Sequence, residues 1–200
     1  MSCWAVIPVK SPPGRKSRLA SALDRPCRDE LVRQMAAHVA ETARQAVGID
    51  RVAFLAGSAE GLPEGFTVLE DGGPDLDAAA GGAVAQVAAL GASRIVLIAG
   101  DLPLLTTSEV EQLAAQPADT VAIAPDRHGF GTNVISLPLP AGRSFAFAFG
   151  TASFARHHAE ADRLGLRVET VRGEGLARDI DEPPDLDDVA DLIAAIAAIR

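Results

Sequence analysis

The sequence predicts an α/β fold of three layers, αβα, around a mostly parallel sheet. Two observations carry the prediction. Apolar runs of strand length alternate with helix-length amphipathic segments through the first two-thirds of the chain, the pattern of parallel sheets covered by crossover helices. The composition is 48% hydrophobic but only 4% aromatic, with no Tyr, so the core must be built from Ala, Val, Leu and Ile, as in packed helix and sheet layers. With 200 residues, a single domain spanning 1–200 can bury a substantial core.

Residues 3–9 read as a buried first strand, and 11–17 as a Pro/Gly loop. A helix is expected over 26–47: Pro26 suits a first helical position, and Leu31, Met35, Val39 and Thr42 mark one face at spacings of three and four. Residues 51–56 form a second strand and 66–69 a short third. An Ala-rich helix follows over 75–90. Residues 94–99 make a buried strand through the unbroken run Ile95-Val96-Leu97-Ile98. Helix 107–115 has Thr107 or Ser108 as its cap and Glu109 and Glu111 in its first turn. Strands 120–124 and 132–137 flank a loop at 125–131. Helix 153–164, strand 167–171 and a final helix over 185–199 complete the chain. There is no internal repeat and no low-complexity linker.

The bulk numbers exclude several function classes. A net charge of −9 argues against a general nucleic-acid binder, because phosphate contacts need local positive charge. Cys3 and Cys27 are too few for a disulfide framework and are expected as reduced thiols. The Trp4–Val9 run is too short for a secretory leader, and no stretch approaches the roughly 20 apolar residues of a membrane span. A cytoplasmic protein is expected. The Ala/Ile-rich last helix could pack on its own sheet or on a second subunit, which leaves a homodimer open.

Ligands of open α/β sheets bind beyond the carboxyl ends of the strands. Lys10, Asp101 and Asp126 all follow strands at that edge. Asp179 and Asp181 are one residue apart, so alternation sends both to one side of an extended chain. If Asp101 joins them, three carboxylates converge, and such a cluster is costly without a hard divalent cation; Mg²⁺ is the ion that carboxylates share with substrate phosphates. Lys10, Arg15, Lys16 and Arg18 supply cations in the N-terminal loop. That loop lacks the Gly-x4-Gly-Lys-Ser/Thr pattern of a P-loop, yet Lys16 or Arg18 could stabilise charge on an α-phosphate and leaving pyrophosphate. Carboxylates for metal and a basic loop for phosphates outline a nucleotide-handling enzyme. Asp185, Asp187 and Asp188 read as helix-start residues that complement the macrodipole.

Two further segments present ligand-facing groups. Ala124-Pro125-Asp126-Arg127-His128-Gly129-Phe130-Gly131-Thr132-Asn133 ends in two short polar side chains at a strand start. Phe149-Gly150-Thr151-Ala152-Ser153-Phe154 leads into a helix whose free N–H groups could take a phosphate or carboxylate. His157 and His158 are adjacent on that helix and face different ways, so they are not a two-ligand metal site. His38 reads as structural. Neither Gly-x-Ser-x-Gly nor a Cys-based relay is present.

These segments together resemble a known family, the guanylyltransferases that activate a small phosphorylated three-carbon acid in assembly of the deazaflavin coenzyme factor 420. The matching stretches are Ile7-Pro8-Val9-Lys10 with Lys16-Ser17-Arg18-Leu19, Asp101-Leu102-Pro103, Ala124-Pro125-Asp126-Arg127, Gly131-Thr132-Asn133, Phe149-Gly150 with Ser153-Phe154, and Asp179-Ile180-Asp181 with Pro183. They run in the family's order over nearly the whole chain. The resemblance implies a Rossmann-like nucleotide-diphospho-sugar transferase fold, related to that of molybdenum cofactor guanylyltransferases. It implies GTP and a phosphorylated carboxylic acid (2-phospho-L-lactate, phosphoenolpyruvate or 3-phospho-D-glycerate) as substrates, and pyrophosphate as a product. It puts the acid on Thr132, Gly150 and Ser153, Mg²⁺ on Asp101, Asp179 and Asp181, and the triphosphate on Lys10, Lys16 and Arg18. At Asp75-Leu76-Asp77 the chain departs from the family's usual Gly-Leu-Asn. Asp77 would accept from the N–H donors of a guanine, whereas it would repel a phosphate. Two other readings stay open at this stage: a nucleotidyltransferase with another acceptor or base, and a noncatalytic nucleotide-binding paralogue.

Overall fold

The structure, a computed structural model, describes residues 2–10, 16–46 and 48–191. Strands β1 (Cys3–Pro8), β2 (Arg51–Ala56), β3 (Thr67–Glu70), β4 (Arg94–Ile98), β5 (Thr120–Pro125), β6 (Thr132–Pro138) and β7 (Arg167–Thr170) form one sheet in the order β3-β2-β1-β4-β6-β5-β7. β6 runs antiparallel to both of its neighbours, and the remaining pairings are parallel. The expected mostly parallel sheet is therefore present, with one reversed strand inside it.

Helices α1 (Arg25–Gln45), α2 (Leu76–Ala89), α3 (Thr107–Ala114), α4 (Ser153–Arg163) and the single turn α5 (Glu174–Ala177) cover it. Alternation along β1 shows why both faces need cover. Ala5 and Ile7 join a core with Val39 and Leu113 from α1 and α3, whereas Trp4 and Val6 join a second core with Ala80, Ala83 and Ala161 from α2 and α4. A strand buried on both faces reads as a continuous apolar run, which is how β1 and β4 appear. Full burial of a Leu, Ile or Phe such as Leu31, Ile7 or Phe54 contributes about 1.5–3 kcal/mol each, opposed by the entropy of ordering the chain. The buried face of α2 is made of small side chains, Ala79, Ala80 and Ala83 with Val84 and Val87.

Local signals set several boundaries. Asp24 caps α1, accepting from the Cys27 N–H at 2.9 Å, and Asp75 caps α2, accepting from the Ala78 N–H at 2.9 Å. The α3 cap is Thr106, in place of the expected Thr107 or Ser108. Its hydroxyl and the Glu109 carboxylate form a reciprocal capping box, which satisfies two orphan N–H groups at once. The chain also forms a 3-10 turn at Ser17–Ser21 and the α5 turn, neither of which the apolar pattern predicts. The expected helix over 185–199 is corrected at its start: Pro183–Val189 is 3-10, and 192–199 lie outside the described residues. Cys3 and Cys27 are free thiols, and burial pushes the Cys3 thiol up to about 12. Among the described residues no helix is long and apolar enough to cross a membrane.

Candidate active site

A cavity of about 450 Å³ opens at the carboxyl edge of β1 and β4. The topology builds it from distant segments. β1 and β4 are parallel, so Val9-Lys10 and Gly100-Asp101 emerge on the same side. β6 is antiparallel to β4, so its first residues reach that edge, and the Ala99 N–H donates to the Asn133 carbonyl at 2.9 Å. Thr132 and Asn133 thereby stand beside Asp101. A side chain at Gly100 would put its Cβ 3.2 Å from Ile7 Cγ2, so the two strand ends pack closely there.

Lys16 is the centre of the charged wall. Its ammonium bonds to the carboxylate of Asp101 and to Asp181 Oδ1, the latter at 2.8 Å. Arg18 Nη1 lies 3.6 Å from Asp181 Oδ2. Burial alone would lower the Lys16 pKa, but the two carboxylates override it and hold the pKa above the ordinary lysine value. The Lys16 backbone is left-handed, at φ 48. A non-glycine residue adopts that region at a cost that surrounding contacts must cover, and the two ion pairs supply such contacts.

The Asp179–Asp181 segment lies outside the regular strands, and of its two carboxylates Asp181 lines the cavity. Ile180 is buried, and its N–H donates to the Asp101 carbonyl at 3.3 Å. A brace holds the segment: Asp185 Oδ2 accepts from the Asp181 and Glu182 N–H groups, both at 2.8 Å. Asp185 Oδ1 pairs with Arg127 at 2.7 Å, and Arg127 donates to the Asp179 carbonyl at 2.8 Å. Asp185 stands, as read, in the first turn of Pro183–Val189, where it forms a capping box with Glu182, and its pairing with Arg127 is an addition to that reading. Burial opposes its ionisation, yet these donors outweigh burial and hold its pKa below the usual carboxylate value. Asp179 is the opposite case. Burial, and then the charge of Asp101, push its pKa up against a 3.3 Å hydrogen bond from Asn133.

The donor set fits a hard divalent cation. Its oxygens are carboxylate oxygens, the ligand type that Mg²⁺ takes. Lys16 already places one positive charge between Asp101 and Asp181, as a stand-in cation. The Asp179 pKa is raised first by burial and then by the neighbouring charge of Asp101. In this arrangement no three His, Cys, Asp or Glu groups among the described residues stand close enough to hold an ion. Binding one would therefore require the ammonium to yield its place.

Of the residues singled out from sequence, Lys10, Lys16, Arg18, Asp101, Thr132 and Asp181 line the cavity; Arg15 lies outside the described residues. Asp179, Asp77, Gly150 and Ser153 are not on that lining. Ser153 is buried behind Thr132, with its hydroxyl 3.3 Å from Thr132 Oγ1. Gly150 turns the chain at φ 89, where L side chains are disfavoured. Asp77 supports the wall: its Oδ1 accepts the N–H of the cavity-lining Phe149 at 2.7 Å. An Asn oxygen would accept the same bond, so Asp at 77 keeps the contact and adds a charge. Asp126, expected to converge with Asp101, instead anchors its own loop, accepting the N–H groups of His128, Phe130 and Gly131. A Cβ at Gly131 would lie 2.6 Å from Asp126 Oδ2, so that loop needs glycine. Sequence reasoning missed Arg127, Asp185 and His157. The spacing Ser153, His157, Ala161 on the buried face of α4 was the one local signal for His157.

A family model described as "Guanylyl transferase CofC like" matches residues 3–192. The chain belongs to this family. Among CofC-like relatives, a phosphoenolpyruvate guanylyltransferase of Conexibacter woesei is 37% identical, over 98% of this chain and 90% of its own. A 2-phospho-L-lactate guanylyltransferase of Halorubrum lacusprofundi is 35% identical, over 86% of this chain and 76% of its own. A solved structure from Desulfovibrio desulfuricans G20, assigned as a nucleotide-diphospho-sugar transferase, superposes with a TM-score of 0.75 at 18% identity, over 94% of this chain and 87% of its own. That likeness bears on the fold alone, and it agrees with the expected nucleotide-diphospho-sugar transferase architecture. The CofC-like chain is thus a guanylyltransferase, and an enzyme of the nucleotidyltransferase class.

Proposed function

We propose that the protein joins GMP from GTP to phosphoenolpyruvate, or to a phosphorylated three-carbon acid close to it such as 2-phospho-L-lactate, and releases pyrophosphate in deazaflavin coenzyme assembly. One observation carries the reading: Lys10, Lys16, Arg18, Asp101, Asp181 and the Thr132 hydroxyl share one cavity at the sheet edge. The phosphoenolpyruvate guanylyltransferases among its relatives, one of them aligned over 98% of this chain, favour that acid.

The reaction is a displacement at phosphorus. A phosphate oxygen of the acid forms a bond to the α-phosphorus of GTP, the bond from that phosphorus to the bridging oxygen breaks, and pyrophosphate leaves with the electron pair. A phosphate oxyanion is already nucleophilic at neutral pH, so the protein supplies alignment and charge neutralisation, with no covalent step of its own. Lys10, Lys16 and Arg18 neutralise the triphosphate and the leaving pyrophosphate. Thr132, with Ser153 behind it, positions the acid, and Gly150 turns the chain that leads into Ser153. Asp101, Asp179 and Asp181 would hold Mg²⁺, which supplies Lewis-acid neutralisation of phosphate charge when bound. Asp77 takes no part in base contact in this reading and supports Phe149.

The test is mass spectrometry of the products from GTP, and from three other nucleotides, with each acid in Mg²⁺. The expected product is the guanosine diphosphate-linked adduct of phosphoenolpyruvate. Asp101→Asn and Asp181→Asn are each expected to lower pyrophosphate release by at least about 100-fold with the fold retained. Full activity in both variants removes the carboxylate assignment, and no adduct with any acid removes the reading.

A further inference from the structure

His157 has no part in the steps above, yet its ring is held on every side. It is fully buried in α4, one turn after Ser153. Phe145, Phe147 and Phe149 pack around it, with ring centroids 5.7, 6.2 and 5.0 Å away. Its two nitrogens are both engaged: Nε2 lies 3.0 Å from the Ala148 backbone nitrogen, and Nδ1 lies 3.0 Å from Thr132 Oγ1.

The partners fix the tautomer. A backbone N–H can only donate, so Nε2 must accept and carries no proton. Burial brings the pKa down to about 4, so the ring is neutral and its one proton sits on Nδ1. Nδ1–H therefore donates to Thr132 Oγ1. The buried Ser153 hydroxyl donates to the same oxygen at 3.3 Å. A hydroxyl has two lone pairs and one proton. With both lone pairs taken, the Thr132 proton must point elsewhere, and Thr132 lines the cavity. A hydroxyl locked as a donor suits an anionic oxygen.

We propose that His157 is a positioning residue: its Nδ1–H fixes the Thr132 hydroxyl as a hydrogen-bond donor to a carboxylate or phosphate oxygen of the acid substrate. The inference rests on the reading of Thr132 as part of the acid site. It does not place His157 in contact with substrate, and it requires no proton transfer.

Two substitutions separate this role from a merely structural one. An Asn amide reaches the position of Nδ1 and can still donate to Thr132. A Gln amide reaches the position of Nε2 and can still accept from Ala148. Steady-state pyrophosphate release is measured with GTP, phosphoenolpyruvate and saturating Mg²⁺. His157→Gln is expected to raise KM for the acid about tenfold and to leave KM for GTP within about twofold, the scale of one hydrogen bond to a charged group. His157→Asn is expected to stay within about threefold of the unsubstituted enzyme. Thr132→Val should raise KM for the acid comparably, and adding His157→Gln to it should cost nothing more, because both act through one hydroxyl. Asn behaving worse than Gln, or additive effects in the double variant, overturns the proposal. An effect of Thr132→Val with none from His157→Gln defeats this inference alone. No effect from Thr132→Val in an active enzyme defeats the Thr132 assignment, and this inference with it. ¹⁵N NMR of the imidazole in the unsubstituted protein needs no variant to fold: it should report a protonated Nδ1 and a bare Nε2, and the reverse tautomer sinks the proposal.

Discussion

His157 also sets a pH limit on the fold. Its pKa falls from 6.5 to about 4, chiefly through burial, with Asp77 and Glu160 pulling the other way and Arg156 and His158 adding to the fall. The unfolded chain therefore takes up a proton before the folded one does. Stability from this group is complete above about pH 6.5 and is lost as pH falls toward 4. The full loss is on the order of 3 kcal/mol for a shift of this size. His158, lowered mainly by burial, works in the same direction. Urea denaturation is expected to show a midpoint that drops steadily between pH 6.5 and 4.5. His157→Asn should flatten that slope by up to about one proton. An unchanged slope in the variant would mean that the folded protein already carries an imidazolium at 157, which the Ala148 N–H forbids.

The elements that place the cavity were legible because their signals are local. β2 falls at Arg51–Ala56, the range read from its apolar run, and β4 announces itself through Ile95 to Ile98. Strand ends then located Lys10 and Asp101, and alternation around the buried Ile180 located Asp181. What stayed hidden depends on contacts far apart in the chain. Asp185 sits among other acidic residues at the start of an expected helix, and nothing nearby in sequence tells that its partner is Arg127, 58 positions earlier in the numbering of the pair. The Ser17–Ser21 turn likewise follows Lys16, whose partners Asp101 and Asp181 lie far along the chain. Because Asp185 holds the backbone of Asp181 and Glu182, Asp185→Ala should act on the carboxylates it positions. The Mg²⁺ concentration for half-maximal activity is expected to rise about tenfold or more, as for other supports of ligand-bearing segments. Arg127→Ala should shift it less, since Asp185 Oδ2 would still hold both N–H groups. Unchanged Mg²⁺ dependence in Asp185→Ala would make the brace a matter of folding alone.

At the scale of the whole molecule, Lys16 ties the beginning of the chain to its middle and its end, through partners 85 and 165 residues away. The chain as a whole carries a net charge of −9, and Asp101, Asp179 and Asp181 concentrate negative charge at one sheet edge. The Lys16 ammonium bonds to two of these carboxylates, and Arg18 lies 3.6 Å from one of them. Removing a partner from a partly buried ion pair leaves a charge without compensation, which costs more than the pair contributes when intact. Lys16→Met keeps much of the side-chain length and deletes the charge. In metal-free buffer the variant should melt lower than the unsubstituted protein, by about 2–4 °C for each 1 kcal/mol lost in a chain of this size. Adding Mg²⁺ without nucleotide then distinguishes a stand-in cation from an ordinary salt bridge. In the unsubstituted protein the ion must displace Lys16, so the gain in Tm should be small. In Lys16→Met the ammonium no longer holds Asp101 and Asp181, so the gain should be larger and should recover much of the loss. Equal gains in the two proteins would show that Lys16 and the metal occupy different places, and the three carboxylates would then need another explanation.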